Sequence, residues 1–131
     1  MAAVVCAFAS LAGFDGDRVF YPTLLIVIAT FYILFAAMGN STPALMMESS
    51  VAAAFLTLAV AGFKKNLWLV AGALVGHGVF DFFLHKFIQN PGVPVWWPGF
   101  CGSFDVLAGI FLAVLLVRRS GFALTVHDRA K

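Results

Sequence analysis

The sequence predicts an all-α protein, a bundle of transmembrane helices. Hydrophobic residues make up 63% of the 131 residues and charged residues 11%, whereas soluble domains have about 45–50% apolar and about 25% charged residues. A chain this short could not cover a water-exposed surface with so few polar groups, because small folds expose a large part of their chain. The apolar residues fall in long runs without the alternation of a membrane barrel. Since only helices satisfy their own backbone hydrogen bonds in lipid, we expect one helical membrane domain over residues 1–131.

Four apolar runs are predicted to be full spans, since each approaches the ~20 residues that cross the hydrocarbon core. They cover residues 20–39, 43–63, 67–88 and 100–117. Residues 2–14 form a shorter apolar segment, which as a helix of about 1.5 Å per residue reaches only part of the way across. Three alternatives stay open for this segment. It could be a short or tilted fifth span, a half-helix, or a helix on the membrane surface. Residues 118–131 are predicted to form a polar cytoplasmic tail.

The basic residues predict the orientation of the bundle. In the four-span arrangement Lys86 falls on one side, and the other Lys and Arg residues fall on the opposite side: Arg18, Lys64, Lys65, Arg118, Arg119, Arg129 and Lys131. Loops rich in Lys and Arg stay in the cytoplasm. We therefore expect a multi-pass protein whose basic loops and C-terminus are cytoplasmic. The net charge of +2 gives no reason to expect a nucleic-acid partner, so the predicted partner is the lipid bilayer.

Ionisable residues inside the predicted spans are the candidate functional residues, because such groups are costly in lipid and usually mark function. There are five of them: Glu48, His77, Asp81, His85 and Asp105. At about 1.5 Å of rise per residue, Glu48, Asp81, His85 and Asp105 share one level in the outer third of the bilayer, and His77 lies about one turn deeper than Asp81. Three different helices therefore bring acidic or imidazole groups to one layer.

The spacing within this layer favours a metal site or proton exchange. His77, Asp81 and His85 are four residues apart in sequence, so they share one face of the third span. Asp81 with one of the two histidines, completed by Glu48 and Asp105, would form a mononuclear site, and a two-metal carboxylate site is a further option. Mixed imidazole and carboxylate ligands suit zinc, iron or manganese. The same five residues are the candidate catalytic acids and bases.

A structural interpretation stays open for each of these residues. Buried polar side chains also join helices through hydrogen bonds, and Glu48 could be a first-turn acid favoured by the helix dipole. On the first span, Thr30, Tyr32 and Asn40 could add hydroxyl or amide groups to the same region.

The two cysteines and the longest loop carry weaker predictions. Cys6 and Cys101 could pair only if the first segment spans, and free cysteine is otherwise a common buried small residue. The loop over residues 89–99 contains three prolines, Pro91, Pro94 and Pro98, which restrict its backbone. It is expected to be rigid and to lie above the polar layer, either as a cap or as an interfacial anchor through its tandem tryptophans.

The motifs in this region resemble a known group of proteins. The chain is similar to a family of small bacterial multi-pass inner-membrane proteins of uncharacterised activity. The similarity lies in residues 76–81 and 90–101 and in Asp105, and it extends to residues 18–22 and Glu48. The resemblance implies four or five helices and a bacterial inner membrane, and it supplies no activity.

Three classes of function follow from the polar layer. The first is an intramembrane enzyme that uses a metal or acid–base chemistry on a lipid-like small molecule. The second is a proton or cation transport component, in which the same groups form a relay. The third is a structural or accessory subunit of a larger membrane complex, and a homo-oligomer is also open.

Overall fold

The computed structural model describes the backbone of residues 1–83 and 85–128, and the side chains of these residues except Asp15, His85 and 121–128. In this part of the chain there are five α-helices: α1 (Ala2–Leu11), α2 (Phe20–Met38), α3 (Thr42–Lys64), α4 (Leu67–Phe83) and α5 (Trp97–Asp128). Two short 3₁₀ helices, Phe14–Gly16 and His85–Phe87, lie in the connections. The described ranges contain no β-strand. The predicted all-α class is confirmed.

Three helices are long and apolar enough to cross a membrane, namely α2, α3 and the part of α5 over Trp97–Ser120. They correspond to the first, second and fourth predicted spans. The predicted span over residues 67–88 is shorter as an α-helix, because α4 has 17 residues and ends at Phe83. Beyond it the sequence becomes polar at Lys86, Gln89 and Asn90, and the chain turns back over the bundle. α1 is also a shorter apolar helix, with 10 residues.

The turn between α2 and α3 shows how the sequence fixes helix boundaries. Asn40 adopts a left-handed backbone conformation with φ of 49°, which asparagine tolerates better than most residues. Ser41 then caps α3 by accepting a hydrogen bond from the backbone N–H of Ala44 at 3.4 Å. Pro43 lies in the first turn of α3, where its missing N–H is not needed. The two helices are therefore joined by a tight antiparallel turn.

The helices pack in the order α2–α3–α4–α5, with α1 against α5. Arg18, just before α2, donates a hydrogen bond to the carbonyl of Phe63 near the end of α3 at 3.1 Å. At the opposite end Gly39, which follows α2, packs against Gly92 in the loop that precedes α5. We name the end that carries Arg18, Lys64 and Lys65 the basic end. The other end, where the loop of residues 88–96 lies, is the loop end.

α1 packs along α5 through one face. Ala2, Cys6 and Ala9 are its buried residues, and their spacing of three to four positions is that of one helix face. Cys6 belongs to the main apolar core, together with Leu25 and Leu112. Both cysteines are buried and free.

Glycine lets α4 and α5 approach closely. A Cβ added to Gly78 would lie 2.6 Å from the carbonyl oxygen of Gly102, and one added to Gly102 would lie 2.9 Å from that of Gly78. A similar contact occurs further along, where a Cβ on Gly109 would lie 2.8 Å from the carbonyl oxygen of Ala71. Small residues at helix crossings allow such backbone contact in membrane proteins. The crossing at Gly78 and Gly102 is next to the polar side chains described below.

Candidate metal centre

The candidate site is formed by two pairs of side chains on facing helices. α4 supplies His77 and Asp81, and α5 supplies Cys101 and Asp105. Each pair has a spacing of four, which places its two side chains on one face of the helix. All four residues are buried. One potential ligand atom from each lies within 4.8 Å of those of the other three.

Asp105 is the centre of the hydrogen bonding in this group. Its Oδ2 atom lies 2.7 Å from Nδ1 of His77 and accepts a weaker hydrogen bond from Sγ of Cys101 at 3.7 Å. Oδ2 of Asp81 lies 3.7 Å from the same Nδ1 atom. One imidazole nitrogen therefore faces two carboxylates, an arrangement that suits either a shared proton or a shared cation.

Carboxylate oxygens in this site have unused hydrogen-bonding capacity. Both oxygens of Asp81 and Oδ1 of Asp105 are buried, and none makes a hydrogen bond of good geometry to any residue that the structure describes. The hydroxyl of Tyr32 and the thiol of Cys101 are polar neighbours of the Asp81 carboxylate. A buried carboxylate without full hydrogen bonding is costly, and coordination of a metal ion is one way to compensate for it. These oxygens could accept a proton or bind a cation.

Aromatic rings enclose the imidazole of His77. The ring of Phe55 on α3 lies edge-on at 4.7 Å between centroids, and the ring of Tyr32 on α2 lies at 6.0 Å. These rings pack around the imidazole, which is 1% exposed. A low local dielectric strengthens the interaction of the carboxylates with any bound cation.

Glu48 lies beside this group rather than in it. It is buried, with 2% of its surface exposed, and it interacts electrostatically with His77. Its Oε1 atom accepts a hydrogen bond from Nδ2 of Asn90 at 3.1 Å, and the same amide donates to the backbone carbonyl of Tyr32 at 3.1 Å. Asn90 thus connects the loop to both α2 and α3 next to the site.

The structure thus brings together three of the five predicted site residues: His77, Asp81 and Asp105. Glu48 is adjacent, and the side chain of His85 lies outside the described residues. Among the predicted contributors from the first span, Tyr32 is buried beside Asp81. The other two are exposed, namely Thr30 on α2 and Asn40 in the turn after it.

Sequence reasoning missed Cys101 as a candidate ligand and Asn90 as a polar partner of Glu48. A cysteine in an apolar helix is unremarkable by composition, because buried free cysteine behaves as a small hydrophobic residue. A signal did exist: Cys101 and Asp105 have the same spacing of four as His77 and Asp81. Asn90 had no comparable signal, since its role depends on how the loop folds back.

Comparisons with models of protein families, with curated proteins and with solved structures find no match for this chain. The resemblance to bacterial inner-membrane proteins therefore stays a prediction from the sequence. The functional interpretation depends on the geometry of the site.

Proposed function

We propose that this protein is a multi-pass membrane protein that binds one divalent cation inside its helical bundle, through His77, Asp81, Cys101 and Asp105. The observation that carries the proposal is the mutual distance of the four ligand atoms, all within 4.8 Å of one another. Metal–ligand bonds of about 2.0–2.3 Å in a tetrahedral zinc site place the ligands roughly 3.3–3.8 Å apart. Small side-chain adjustments would therefore suffice to close the four ligands around one ion.

The donor atoms favour zinc among the metals that suit the site. An imidazole nitrogen, a thiolate sulfur and two carboxylate oxygens form the set. Thiolate favours zinc, copper(I) and iron–sulfur chemistry, whereas manganese, magnesium and calcium favour oxygen ligands. Cys101 therefore makes zinc the first choice, ahead of iron and manganese. Four protein ligands also match the number found in structural zinc sites, whereas a catalytic site keeps one position open.

The same proposal includes four membrane spans. α4, with 17 residues, reaches about 26 Å as a helix, somewhat less than the ~30 Å of hydrocarbon. It packs between α3 and α5, and Lys65 and Lys86 flank it in sequence. Lysine side chains extend along apolar surface to reach the interface, which supports a slightly short span. α1 would be a short or tilted fifth span next to α5.

Orientation and location follow the sequence analysis. The basic end would be cytoplasmic, because it carries most of the lysine and arginine residues near the helix ends. The loop end would then face the opposite side. The resemblance noted above would place the bundle in a bacterial inner membrane.

An enzyme that acts on a lipid-like molecule is the second candidate. The observation that favours it is Glu48, a buried carboxylate next to the four ligands that the metal set does not require. In an enzyme it would serve as the general base, with a substrate or water replacing one ligand of the metal. A transport relay has less support, because the buried residues toward the basic end include no carboxylate or imidazole among those described.

Metal analysis of the purified protein tests the proposal. The wild type in detergent is expected to retain about one zinc ion per chain, as a four-ligand site does, and Asp81→Ala should lose it. Thr57→Ala is the matched control, because the Thr57 hydroxyl is exposed and bonds to the carbonyl of Ala53 within α3. Wild-type protein without stoichiometric metal, or an Asp81→Ala variant with as much metal as the wild type, would refute the proposal. Full stability of Asp81→Asn together with a stoichiometric protein partner would instead support the accessory-subunit interpretation.

A further inference from the structure

Among the described residues, buried polar groups continue from the metal centre toward the loop end. On the side of the loop, the buried Glu48 lies beside the centre and accepts a hydrogen bond from Asn90, which is 9% exposed and belongs to the loop. Toward the basic end the centre adjoins the main apolar core, whose fully buried aliphatic residues include Leu25, Ala59, Val70, Leu74 and Ala108. Among the described residues this core contains no buried carboxylate, imidazole or amide side chain. The two approaches to the centre therefore differ in chemistry.

We infer that the cation enters the centre from the loop end, with Glu48 as the uptake ligand that holds it before the four ligands take it over. The inference rests on the proposed metal-binding function. Moving a charged ion through apolar surroundings without ligands is very costly. A carboxylate that lies beside the centre and is hydrogen-bonded to the loop lowers that cost, because the ion exchanges its water in steps, as ions do between neighbouring sites in channels.

Asn90 is the positioning residue for this step. Its amide donates to Oε1 of Glu48 and to the carbonyl of Tyr32, both at 3.1 Å. These bonds fix Glu48 relative to α2. The Glu48 carboxylate interacts electrostatically with His77, so an ion at Glu48 would be near one of the four ligands. Glu48 is outside the group of mutually close ligand atoms, which agrees with a transient ligand.

The direction of uptake can be measured on the wild-type protein in sealed membrane vesicles. α5 begins at the loop end, so a tag attached after α5 marks the basic end. Protease added outside the vesicles removes the tag only when the basic end faces outward. Metal-free vesicles of each orientation receive Co²⁺ outside, and the thiolate-to-cobalt charge-transfer band from Cys101 reports occupancy. A trapped chelating dye checks that Co²⁺ does not cross the lipid.

Loading should be at least about tenfold faster when the loop end faces the added Co²⁺. This factor is expected if the ligand step at Glu48 lowers the activation free energy by the amount that corresponds to a tenfold change in rate. Equal rates from both sides, or faster loading from the basic end, would overturn the inference and leave metal binding intact. Wild-type protein that takes up no Co²⁺ and no Zn²⁺ from either side would refute metal binding itself.

The Glu48→Gln variant tests the role of the residue. Glutamine keeps an oxygen that can accept from Asn90 and removes the charge. In detergent this variant should still bind one Zn²⁺ per chain at equilibrium but load about tenfold more slowly, whereas the Thr57→Ala control should load at the wild-type rate. An unchanged loading rate, or a complete loss of Zn²⁺ at equilibrium, would contradict the role of an uptake ligand. If Glu48→Gln does not fold, the vesicle measurement on the wild type still decides the direction of uptake.

Discussion

The Nδ1 atom of His77 on α4 lies 2.7 Å from the Oδ2 atom of Asp105 on α5, and Asp105 is completely buried. This contact joins two helices whose backbones touch at Gly78 and Gly102, one position away from His77 and three from Asp105. The close crossing and the polar contact are therefore adjacent. A cation that binds here is held by two helices at once, so binding and helix packing should be coupled.

Zinc should stabilise the wild type, and Asp105→Asn should abolish this effect. A ligand that binds only the folded state at a hundredfold excess over its Kd raises the free energy of unfolding by about 2.7 kcal/mol. Asn can still accept from His77 but is a poor metal ligand, so metal-free Asp105→Asn should lose only about 0.6–1.7 kcal/mol, as for other polar contacts between membrane helices.

Reversible unfolding in mixed detergent micelles, with and without Zn²⁺, provides the measurement for Asp105→Asn. Ser103→Ala is its control on α5, because the Ser103 hydroxyl is exposed and bonds to the carbonyl of Gly99. An equal response to Zn²⁺ in Asp105→Asn and in the wild type would exclude Asp105 as a ligand.

Cys101→Ser should weaken zinc binding and change metal preference. Loss of a residue that merely supports a ligand typically costs about 10–100-fold in metal affinity, and loss of the thiolate itself should cost at least as much. The hydroxyl that replaces it favours harder ions, so the ratio of zinc to manganese affinity should fall. The charge-transfer band of the cobalt-loaded protein should disappear.

Cys6→Ser is the matched control for Cys101→Ser. Cys6 is also buried and free, but it lies on α1 and is outside the four-residue group. A charge-transfer band that is lost in Cys6→Ser and persists in Cys101→Ser would assign the thiolate ligand to α1. That result would contradict the proposed metal site.

Gly102→Ala should remove zinc without changing any ligand. The added Cβ would lie 2.9 Å from the carbonyl oxygen of Gly78 and 3.0 Å from the ring of Phe82. Relief of this overlap separates α4 from α5, at a cost of about 1–3 kcal/mol for overpacking. Zinc content and thermal unfolding of the purified variant are the measurements.

The control for Gly102→Ala is Gly72→Ala on α4, where an added Cβ meets nothing within 4 Å. That substitution should keep the zinc and raise stability slightly, since alanine favours a helix over glycine by about 1 kcal/mol. Wild-type zinc affinity in Gly102→Ala would show that the centre does not depend on the close helix crossing.

Much of the site could be predicted because charged residues are conspicuous in apolar runs. His77, Asp81 and Asp105 stand out for this reason, and depth along each helix placed them at similar levels. Depth does not fix the rotation of a helix about its axis, so it could not separate Glu48, which lies beside the centre, from the three residues that form it. Nor does it reveal a ligand that is itself apolar in character, which is why Cys101 was missed.

The fold shows the same division between what the sequence encodes locally and what packing decides. The all-α class and the long helices follow from runs of apolar residues, which are a local property. The end of α4 at Phe83 does not, because apolar residues, Phe87 and Ile88 among them, alternate with polar ones after it in the sequence. There the hydrogen bonds of Asn90 with α2 and α3 direct the chain back over the bundle, and these are long-range contacts.

Asn90→Ala should loosen the loop and lower stability while leaving zinc bound at equilibrium. The substitution removes the amide that donates to Oε1 of Glu48, and a buried acceptor that loses its partner costs about 1–3 kcal/mol. Asn90 is not a ligand, so zinc content should stay near that of the wild type. Limited proteolysis of the loop and unfolding in mixed micelles are the measurements, with the exposed neighbour Gln89→Ala as control. A loop in Asn90→Ala as protease-resistant as in Gln89→Ala, with unchanged stability, would show that these two hydrogen bonds do not hold the loop on the bundle.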